Sequence, residues 1–421
     1  MIKKITLNNF KNFRNAELQL GRFSVLVGTN ASGKSNLRDA FRFIHGLSRG
    51  YTLAETIGAK YVEGGVLQWS GLRGGTRELV FDGGSVFGLK IDFVDTIYEI
   101  KVNVGSNGKP PCVTEERLVN TNDYLFDSHA PDDPPMQEDT ARYIFVRLPR
   151  DAKNRKHGQR LQFLCSQPIL TQIAGSSKAA KPVVQAAKSV IAELESMRFL
   201  DLSPDAMRMP SLPGQNILGD RGENLSSVLQ DICANPQTKD AVISWIKDLT
   251  PLDVKDFEFI PDQTGKILTS LIESGGRKTS AYSASDGTLR FLAMIAAVLG
   301  SNPAQFYFFE ELENGIHPTR LYLLLQLIEQ KVLHSDIQIV ATSHSPQLLG
   351  FLDQTSRENA SLVYRLEGRP DAGIQRIMDI PEAKRVLQAG DLARLHSTGW
   401  LENAVEFANG NANTGAKEGG A

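Results

Sequence analysis

The sequence has few cysteines and no long apolar run, and both absences limit what the protein can be. Its 421 residues include three cysteines, Cys112, Cys165 and Cys233, which lie far apart and form no metal-ligand spacing. Such spacing is typical of reduced thiols in a cytosolic protein. No stretch approaches the roughly 18 apolar residues that a membrane-spanning helix needs, and no apolar signal core follows the N-terminus. We therefore expect a soluble, cytoplasmic protein.

A strong charge imbalance is also lacking. The formal net charge is -2 and the pI is about 6.4, so nothing in the balance demands a nucleic-acid partner, although a local basic patch could still bind one. The chain contains no internal repeat and no long heptad array, which excludes solenoids and long coiled coils. Its length is sufficient for two or more lobes around a large core.

Apolar strands and amphipathic helices alternate near both chain ends, which predicts a mixed α/β core. A short apolar run at 23–27 is typical of a strand that is covered on both faces, and a helix from about Lys34 to Gly46 follows it after a glycine-rich turn. Nearer the C-terminus the predicted order is helix 286–299, strand 305–309, helix 318–333 and strand 337–341.

The middle of the chain looks inserted into this core. Between about 78 and 126, several β-like runs recur and indicate an antiparallel meander. Beyond them we predict helices at 184–198 and 223–248 and a hairpin over 254–272, while 129–135 reads as a loop.

Residues 28–35, with the sequence GTNASGKS, fit the phosphate-binding pattern G-x-x-x-x-G-K-S in full. The run lies where the pattern requires, after a buried strand and before a helix. Glycines let backbone N–H groups wrap phosphates, and the helix N-terminus adds positive potential. Lys34 would then reach the β- and γ-phosphates of a nucleotide, and Ser35 would hold Mg²⁺. The nucleotide-binding residues predicted here are Gly28, Asn30, Ala31, Ser32, Gly33, Lys34, Ser35 and Asn36.

The apolar strand at 305–309 ends in two carboxylates, Glu310 and Glu311. Paired acids at the end of a buried strand are costly unless a cation or hydrogen bonds compensate. After a phosphate-binding loop, this pattern indicates a Walker B strand. Glu310 would reach Mg²⁺ through water, and Glu311 would orient and polarise the attacking water.

Ser285 precedes an apolar helix and is a natural N-cap, which by itself could be its whole role. The same geometry, with free N–H groups, a hydroxyl and the small Gly287, also suits a phosphate. A symmetric dimer explains a second phosphate site on one chain, since this loop would bind the γ-phosphate held by the partner's loop.

His344 comes just after the predicted strand at 337–341. In a parallel sheet this is the carboxyl edge, where the phosphate-binding loop also lies. There the imidazole would hydrogen-bond the γ-phosphate or the attacking water, whereas a histidine in an ordinary turn is more often only solvated.

The order of these motifs resembles the ABC ATPases of the RecF, SMC and OLD group, and most of all the AAA_21-type (OLD-like) ATPases of bacterial genome maintenance and anti-phage defence. The runs that carry the resemblance are LNNFKNF at 7–13, the phosphate-binding loop and its helix, SDGTLR at 285–290, EELENGIHP at 310–318 and ATSHSP at 341–346. Two departures are that Asp286 replaces a glycine of the transporter signature and that Glu310 stands where many relatives carry Asp. The implied fold is α/β: an ABC-type P-loop NTPase head with an antiparallel β insertion and a short helical lobe.

The resemblance also implies how the chain is divided. The expected parts are an ATP-binding lobe with the β-meander insertion at 1–165, a helical arm or lid with a linking hairpin at 166–280, the signature, Walker B and switch-histidine part at 281–385, and a C-terminal tail at 386–421 whose end is disordered.

In relatives that the chain resembles, a glutamine at the hinge between the two lobes contacts Mg²⁺ and the attacking water. Gln167 is the candidate here, with Gln162 behind it, and either could instead be an ordinary surface residue. The implied cofactors are ATP and Mg²⁺, and the implied assembly is a head-to-tail homodimer or a higher oligomer. The catalytic candidates are Glu311, His344 and Lys34, the signature contacts to ATP are Ser285 and Gly287, and the metal ligands are Ser35, Glu310 and Gln167.

Three biological roles are open. The first is a dimerisation switch in anti-phage defence that holds or controls a separately encoded nuclease or toxin. The second is a DNA-associated ATPase in genome maintenance or repair, because basic residues cluster between Arg147 and Arg160, although that cluster could equally be a solvated loop. The third, a transporter subunit, is disfavoured by the long insertion. OLD-type Toprim nucleases need Asp-x-Asp, which the chain lacks, so we expect no intrinsic nuclease.

Overall fold

Strands and helices account for most of the chain in the computed structural model, which describes residues 1–105, 108–120, 124–128, 143–148, 159–250, 252–389 and 400–406. The strands are β1 (Ile2–Phe10), β2 (Phe13–Gln19), β3 (Phe23–Val27), β4 (Lys60–Tyr61), β5 (Leu67–Trp69), β6 (Val86–Phe93), β7 (Thr96–Asn103), β8 (Cys112–Asn120), β9 (Tyr124–Asp127), β10 (Tyr143–Leu148), β11 (Gln159–Leu164), β12 (Met197–Leu200), β13 (Val254–Pro261), β14 (Ile267–Glu273), β15 (Lys278–Ser280), β16 (Phe306–Phe309), β17 (Gln338–Ser343), β18 (Ser361–Arg365) and β19 (Ala372–Arg376). The α-helices are α1 (Lys34–Ser48), α2 (Leu53–Ile57), α3 (Ile169–Ala174), α4 (Lys181–Glu195), α5 (Pro204–Met207), α6 (Leu225–Cys233), α7 (Pro236–Leu249), α8 (Asp286–Leu299), α9 (Pro318–Leu333), α10 (Gln354–Glu358) and α11 (Pro381–Ala389).

A six-stranded sheet positions the motifs. Its order is β12-β16-β17-β3-β18-β19, and all neighbours are parallel except the last pair. Strands β3, β16 and β17 are buried along their whole length, as expected when both faces of a parallel sheet are covered. Because parallel strands end at one edge, the segments that follow these three strands meet there.

Two hydrophobic clusters lie on opposite faces of this sheet. In β16, Phe306 and Phe308 face the cluster that contains α1 and the eight-stranded sheet, while Tyr307 and Phe309 face the cluster that contains α8 and α9. This alternation follows from the two-residue period of a strand. Helix α1 lies between the two sheets and is buried on most sides. It follows β3 after a short loop, so its first turn lies at the carboxyl edge.

An eight-stranded sheet, ordered β11-β10-β9-β8-β7-β6-β1-β2, forms the insertion, and all of its pairs are antiparallel. The predicted α/β head with an antiparallel insertion is confirmed. Strand β1 lies inside this sheet, because β2 pairs with one side of it and β6 pairs with the other.

The helix predicted over 223–248 is two helices, α6 and α7. Asn235 accepts a hydrogen bond from the Gln237 N–H and caps α7, and Pro236 occupies its first turn. Proline is favoured at a helix start and cannot continue a preceding helix, so the chain breaks there.

Cys112 and Cys165 form a disulfide, which corrects the expectation of three reduced thiols; Cys233 is free. The two residues are 53 apart in sequence, but the Val113 N–H donates to the Cys165 carbonyl at 2.7 Å, so the start of β8 lies beside the end of β11. Spacing along the chain gives no sign of such pairing.

Several predictions fall outside the described residues: the loop at 129–135, the disordered end of the tail and most of the basic cluster between Arg147 and Arg160. Among the helices that are described, none has the length and apolar character that crossing a bilayer requires.

Candidate nucleotide site

The phosphate-binding loop connects β3 to α1 through a backbone that few residues can adopt. Ala31 has φ 62° and Gly33, the N-cap of α1, has φ 121°. A Cβ added to Gly28 would lie 2.2 Å from the Val363 carbonyl oxygen of β18, so only glycine fits. The Ser32 hydroxyl is buried and has no hydrogen-bond partner among the described residues. A buried orphan hydroxyl beside a helix N-terminus fits a phosphate oxygen.

Lys34 folds back over this loop. Its ammonium donates to the carbonyl oxygens of Gly28 at 2.5 Å and Thr29 at 2.8 Å. Burial lowers the pKa of Lys34 to about 8, against the opposing pull of Glu313 and Glu311. The ammonium thus holds the carbonyls of the loop that would cradle phosphates, and phosphate oxygens could take over its donors.

His344 bridges Lys34 and Glu311. Its Nδ1 is 3.1 Å from the Lys34 Nζ and its Nε2 is 3.3 Å from the Glu311 Oε1. Because an ammonium only donates, Nδ1 must accept, and a neutral imidazole then carries its proton on Nε2 and donates to the carboxylate. The two predicted catalytic groups and the phosphate-binding lysine therefore form one hydrogen-bonded chain.

Glu311 is held in a left-handed backbone conformation, with φ 48°. Its N–H donates to the Thr342 hydroxyl at 3.0 Å, and the Asn314 amide donates to its Oε2 at 3.1 Å. A non-glycine residue in this region costs about 1–3 kcal/mol and occurs preferentially at functional sites. The surrounding contacts fix the direction in which this carboxylate points.

Glu313 is a site residue that sequence reasoning did not single out. It accepts from the Ser343 hydroxyl at 2.9 Å and from the His344 N–H at 2.7 Å. It therefore fixes the loop that carries His344. Its position inside the EELENGIHP run was the signal available in the sequence.

Glu310 pairs with Arg38, another residue that was missed. The Arg38 Nη1 lies 3.3 Å from the Glu310 Oε1, and both side chains are mostly buried. Burial raises the pKa of Glu310. Ser35 is three residues before Arg38 and so shares its face of α1. The Arg38 contact therefore joins α1, which also carries Ser35, to the residue that follows β16.

A buried ion cluster ties the glycine-rich segment after α1 to the loop. Asp39 is 2% exposed and pairs with Lys11 at 2.6 Å and with Arg73 at 3.1 Å. Arg73 also donates to the Ser35 carbonyl at 2.5 Å. Arg73, in the glycine-rich segment at 51–76, therefore helps to fix the first turn of α1.

Ser285 caps α8 as predicted, since its hydroxyl accepts from the Thr288 N–H at 3.2 Å. Arg208 holds the same turn by donating to the Asp286 carboxylate at 2.6 Å and to the Ala284 carbonyl at 3.2 Å. Within the described part of the chain, no hydrogen bond joins Ser285 or Gly287 to the loop at 28–36. The structure thus shows no direct polar contact between the signature turn and the phosphate-binding loop of the same chain.

Gln167 lies apart from the other predicted site residues. The Ser166 carbonyl accepts from the Leu53 N–H at 2.9 Å, which places this segment beside α2, beyond the far end of α1. Helix α1 has 15 residues. At 1.5 Å per residue, its two ends are about 20 Å apart. This geometry does not support a metal contact from Gln167, and Gln162 is exposed on the outermost strand of the eight-stranded sheet.

Two families match this chain, and together they cover the site. Residues 1–101 match the family described as "AAA ATPase domain", and residues 167–350 match the family described as "AAA domain, putative AbiEii toxin, Type IV TA system". An "ATP/GTP phosphatase" of Helicobacter pylori (strain ATCC 700392 / 26695) is 21% identical over 365 residues, which are 85% of this chain and 89% of that protein. On these matches the chain is an ATPase.

The ATPase is similar in structure to solved SMC heads. One is the SMC head bound to the C-winged helix domain of ScpA, with a TM-score of 0.44 at 14% identity over 89% of this chain and 96% of that one. Another is the SMC head domain from Thermotoga maritima, with a TM-score of 0.39 at 13% identity over 89% and 98%.

Proposed function

We propose that this ATPase is a nucleotide-driven dimerisation switch in bacterial anti-phage defence and that it holds or controls a separately encoded effector, a nuclease or a toxin. The observation that supports the dimer concerns the two candidate phosphate sites of one chain. Ser285 caps a helix N-terminus and Gly287 lies in its first turn, an arrangement that suits a phosphate. Neither residue makes a hydrogen bond to residues 28–36 within the described part of its own chain. A second copy in head-to-tail arrangement would place its signature over the nucleotide on the loop.

Surface character near the signature supports the same arrangement. Met209 and Leu212 follow Arg208, which holds the signature turn, and Tyr282 precedes Ser285. The side chains of Met209, Leu212 and Tyr282 are 57%, 54% and 56% exposed. Large apolar side chains exposed together mark contact surfaces. A partner chain that covers the signature would bury them.

ATP would first break the contacts that Lys34 makes in the free protein. Its ammonium would leave the Gly28 and Thr29 carbonyls and donate to the β- and γ-phosphates. The Ser32 hydroxyl would gain the partner that it lacks. His344, released on its Nδ1 side, would hydrogen-bond the γ-phosphate or the water.

Glu311 would then orient and deprotonate the attacking water, a role worth roughly 10²–10⁴-fold in rate. Ser35 and Glu310 would hold Mg²⁺, which supplies charge neutralisation at the β- and γ-oxygens. No group of three or more His, Cys, Asp or Glu side chains among the described residues forms a metal cluster. That suits Mg²⁺, which is commonly held by few protein ligands together with phosphates and water. Loss of the γ-phosphate would remove the group that joins the two copies, so the dimer would loosen.

The defence role rests on the matched family, whose description names a toxin and a toxin–antitoxin system. DNA association is the second candidate, and one observation favours it. Arg147 and Arg160 are paired residues on β10 and β11, and the Arg160 guanidinium lies 4.4 Å from the centre of the 41%-exposed Phe145 ring. Basic and aromatic side chains together are typical of single-stranded nucleic-acid surfaces.

The mass in solution of a Glu311→Gln variant tests the switch. With ATP and Mg²⁺ this variant should form a stable dimer or a higher assembly, because it closes on nucleotide but does not hydrolyse it. Lys34→Ala is the control and should stay at its nucleotide-free mass. A mass of Glu311→Gln that never changes with ATP would overturn the switch.

A further inference from the structure

Strand β12, which lies beside the Walker B strand β16, is also followed by a carboxylate. Strand β12 runs parallel to β16 with Leu200 opposite Phe309, and the Glu310 N–H donates to the Leu200 carbonyl at 3.0 Å. The next residues on the two strands are therefore Asp201 and Glu310. Both leave the sheet at the carboxyl edge, where ligands of open α/β sheets bind.

Asp201 has a fixed backbone and a free side chain. Its N–H donates to the Asp220 carbonyl at 2.9 Å, which sets the chain direction after β12. Its carboxylate is exposed and makes no hydrogen bond or ion pair with any described residue. It is near enough to Glu310 for the two negative charges to repel each other. An unpaired carboxylate beside a second acid favours a cation.

Among the described residues, Arg38 forms an ion pair with Glu310 but not with Asp201. Its guanidinium reaches Glu310, and it projects from the same face of α1 as Ser35. A divalent cation near Ser35 would therefore lie between the first turn of α1 and the ends of β12 and β16. Oxygen ligands of this kind, bound directly or through water, are those that Mg²⁺ prefers.

We infer that Asp201 makes the hinge contact to Mg²⁺ and the attacking water in this protein, in place of a glutamine. The inference rests on the proposed function, since it assumes that ATP binds with Mg²⁺ at this edge. A carboxylate differs from a glutamine amide in one respect that can be measured. Without Mg²⁺, Asp201 and Glu310 both repel the nucleotide phosphates, so ATP binding depends strongly on the cation.

The test is the dissociation constant of a fluorescent ATP analogue, measured with excess Mg²⁺ and with EDTA, for Asp201→Asn and the wild type. Asp201→Asn should bind the analogue more weakly with Mg²⁺ and more tightly with EDTA. The dissociation constant in EDTA divided by the constant in Mg²⁺ should therefore be about tenfold or more smaller in Asp201→Asn than in the wild type. This is the size of effect expected when one oxygen ligand or its support is lost. The amide keeps the size of the side chain, and the thermal midpoint of each variant reports whether it is folded.

Two controls separate this role from the alternatives. Asp205→Asn changes a carboxylate four residues away that is 95% exposed and pairs with Arg208 at the surface. This substitution should leave the ratio unchanged. Gln167→Ala should also leave it unchanged. An unchanged ratio in Asp201→Asn, or a collapsed ratio in Gln167→Ala, would overturn the inference. A wild type that binds ATP with Mg²⁺ but never dimerises would overturn only the switch.

Discussion

Lys34 links protonation to nucleotide binding. Burial lowers its pKa from 10.5 to about 8, so above this pH the free protein loses the charge that phosphates require. Between about pH 8 and pH 10.5, Lys34 is protonated in the unfolded chain but not in the folded protein. Lys34 therefore makes the free energy of unfolding rise with pH over this range. The stability and the nucleotide affinity therefore change in opposite directions over the same range.

We expect the affinity for ATP to fall about tenfold per pH unit above pH 8, because each binding event must first protonate Lys34. Titration of a fluorescent ATP analogue between pH 7 and 9.5 measures this. Lys34→Ala should bind weakly at every pH without that decline. A wild-type affinity that is flat to pH 9.5 would contradict the assignment of the charge to Lys34.

At the level of secondary-structure elements, Glu116 connects the insertion to the helical lobe. This fully buried residue of β8 accepts from the N–H groups of Ile169 at 2.7 Å and Leu170 at 2.8 Å at the start of α3, and from the Tyr98 hydroxyl at 2.9 Å. Burial raises the pKa of Glu116 to about 7, although these donors oppose the rise. A side chain from one sheet thus replaces the local cap that Pro168 cannot provide.

The raised pKa gives this contact a definite pH dependence. Between about 4.5 and 7 the folded state binds the proton more tightly than the unfolded state, so the free energy of unfolding decreases as pH rises through that range. Relative to Glu116→Gln, the wild type should lose roughly 3 kcal/mol from pH 4.5 to pH 7.5. Urea denaturation of both proteins at several pH values measures the difference. Parallel curves for the two proteins would show that Glu116 does not titrate in this range.

For the whole molecule, the proposed composite site, formed by the loop of one chain and the signature of another, predicts complementation between two defective proteins. Lys34→Ala damages the phosphate-binding loop, and Ser285→Arg blocks the signature. Each should hydrolyse little ATP alone, because every site in its homodimer contains the defect. In an equal mixture, half of the dimers are mixed and carry one intact site of two, so about a quarter of wild-type ATPase activity should return.

The matching control mixes Lys34→Ala with a chain that carries both substitutions, which leaves no intact site and should recover nothing. ATP turnover at fixed total protein measures each mixture. Equal activity in the mixture and in the separate variants would mean that loop and signature do not combine across chains. The circular-dichroism spectrum of Ser285→Arg would show whether loss of the α8 cap alters its fold.

Local sequence was enough to predict the parts of the site whose chemistry depends on neighbours along the chain. The glycines at 28 and 33 require particular backbone geometry, Ser285 caps the helix that it precedes, and Glu310 and Glu311 end an apolar strand. Apolar periodicity likewise predicted α8 and α9 at their observed bounds. Each of these features involves at most a few consecutive residues, so the information lies within one short run.

Only the tertiary structure decided which distant residues complete the site. The disulfide between Cys112 and Cys165, the contact of Arg38 with Glu310 and the place of Asp201 beside the Walker B strand all depend on strand order. The hinge glutamine was predicted from its place in the chain, yet Asp201 is the residue that follows β12, the strand next to β16 in the sheet. The sequence by itself determined the local motifs, because propensity, capping and periodicity are short-range. Register and strand order are long-range properties that arise only when the chain packs, and they determined which side chains meet.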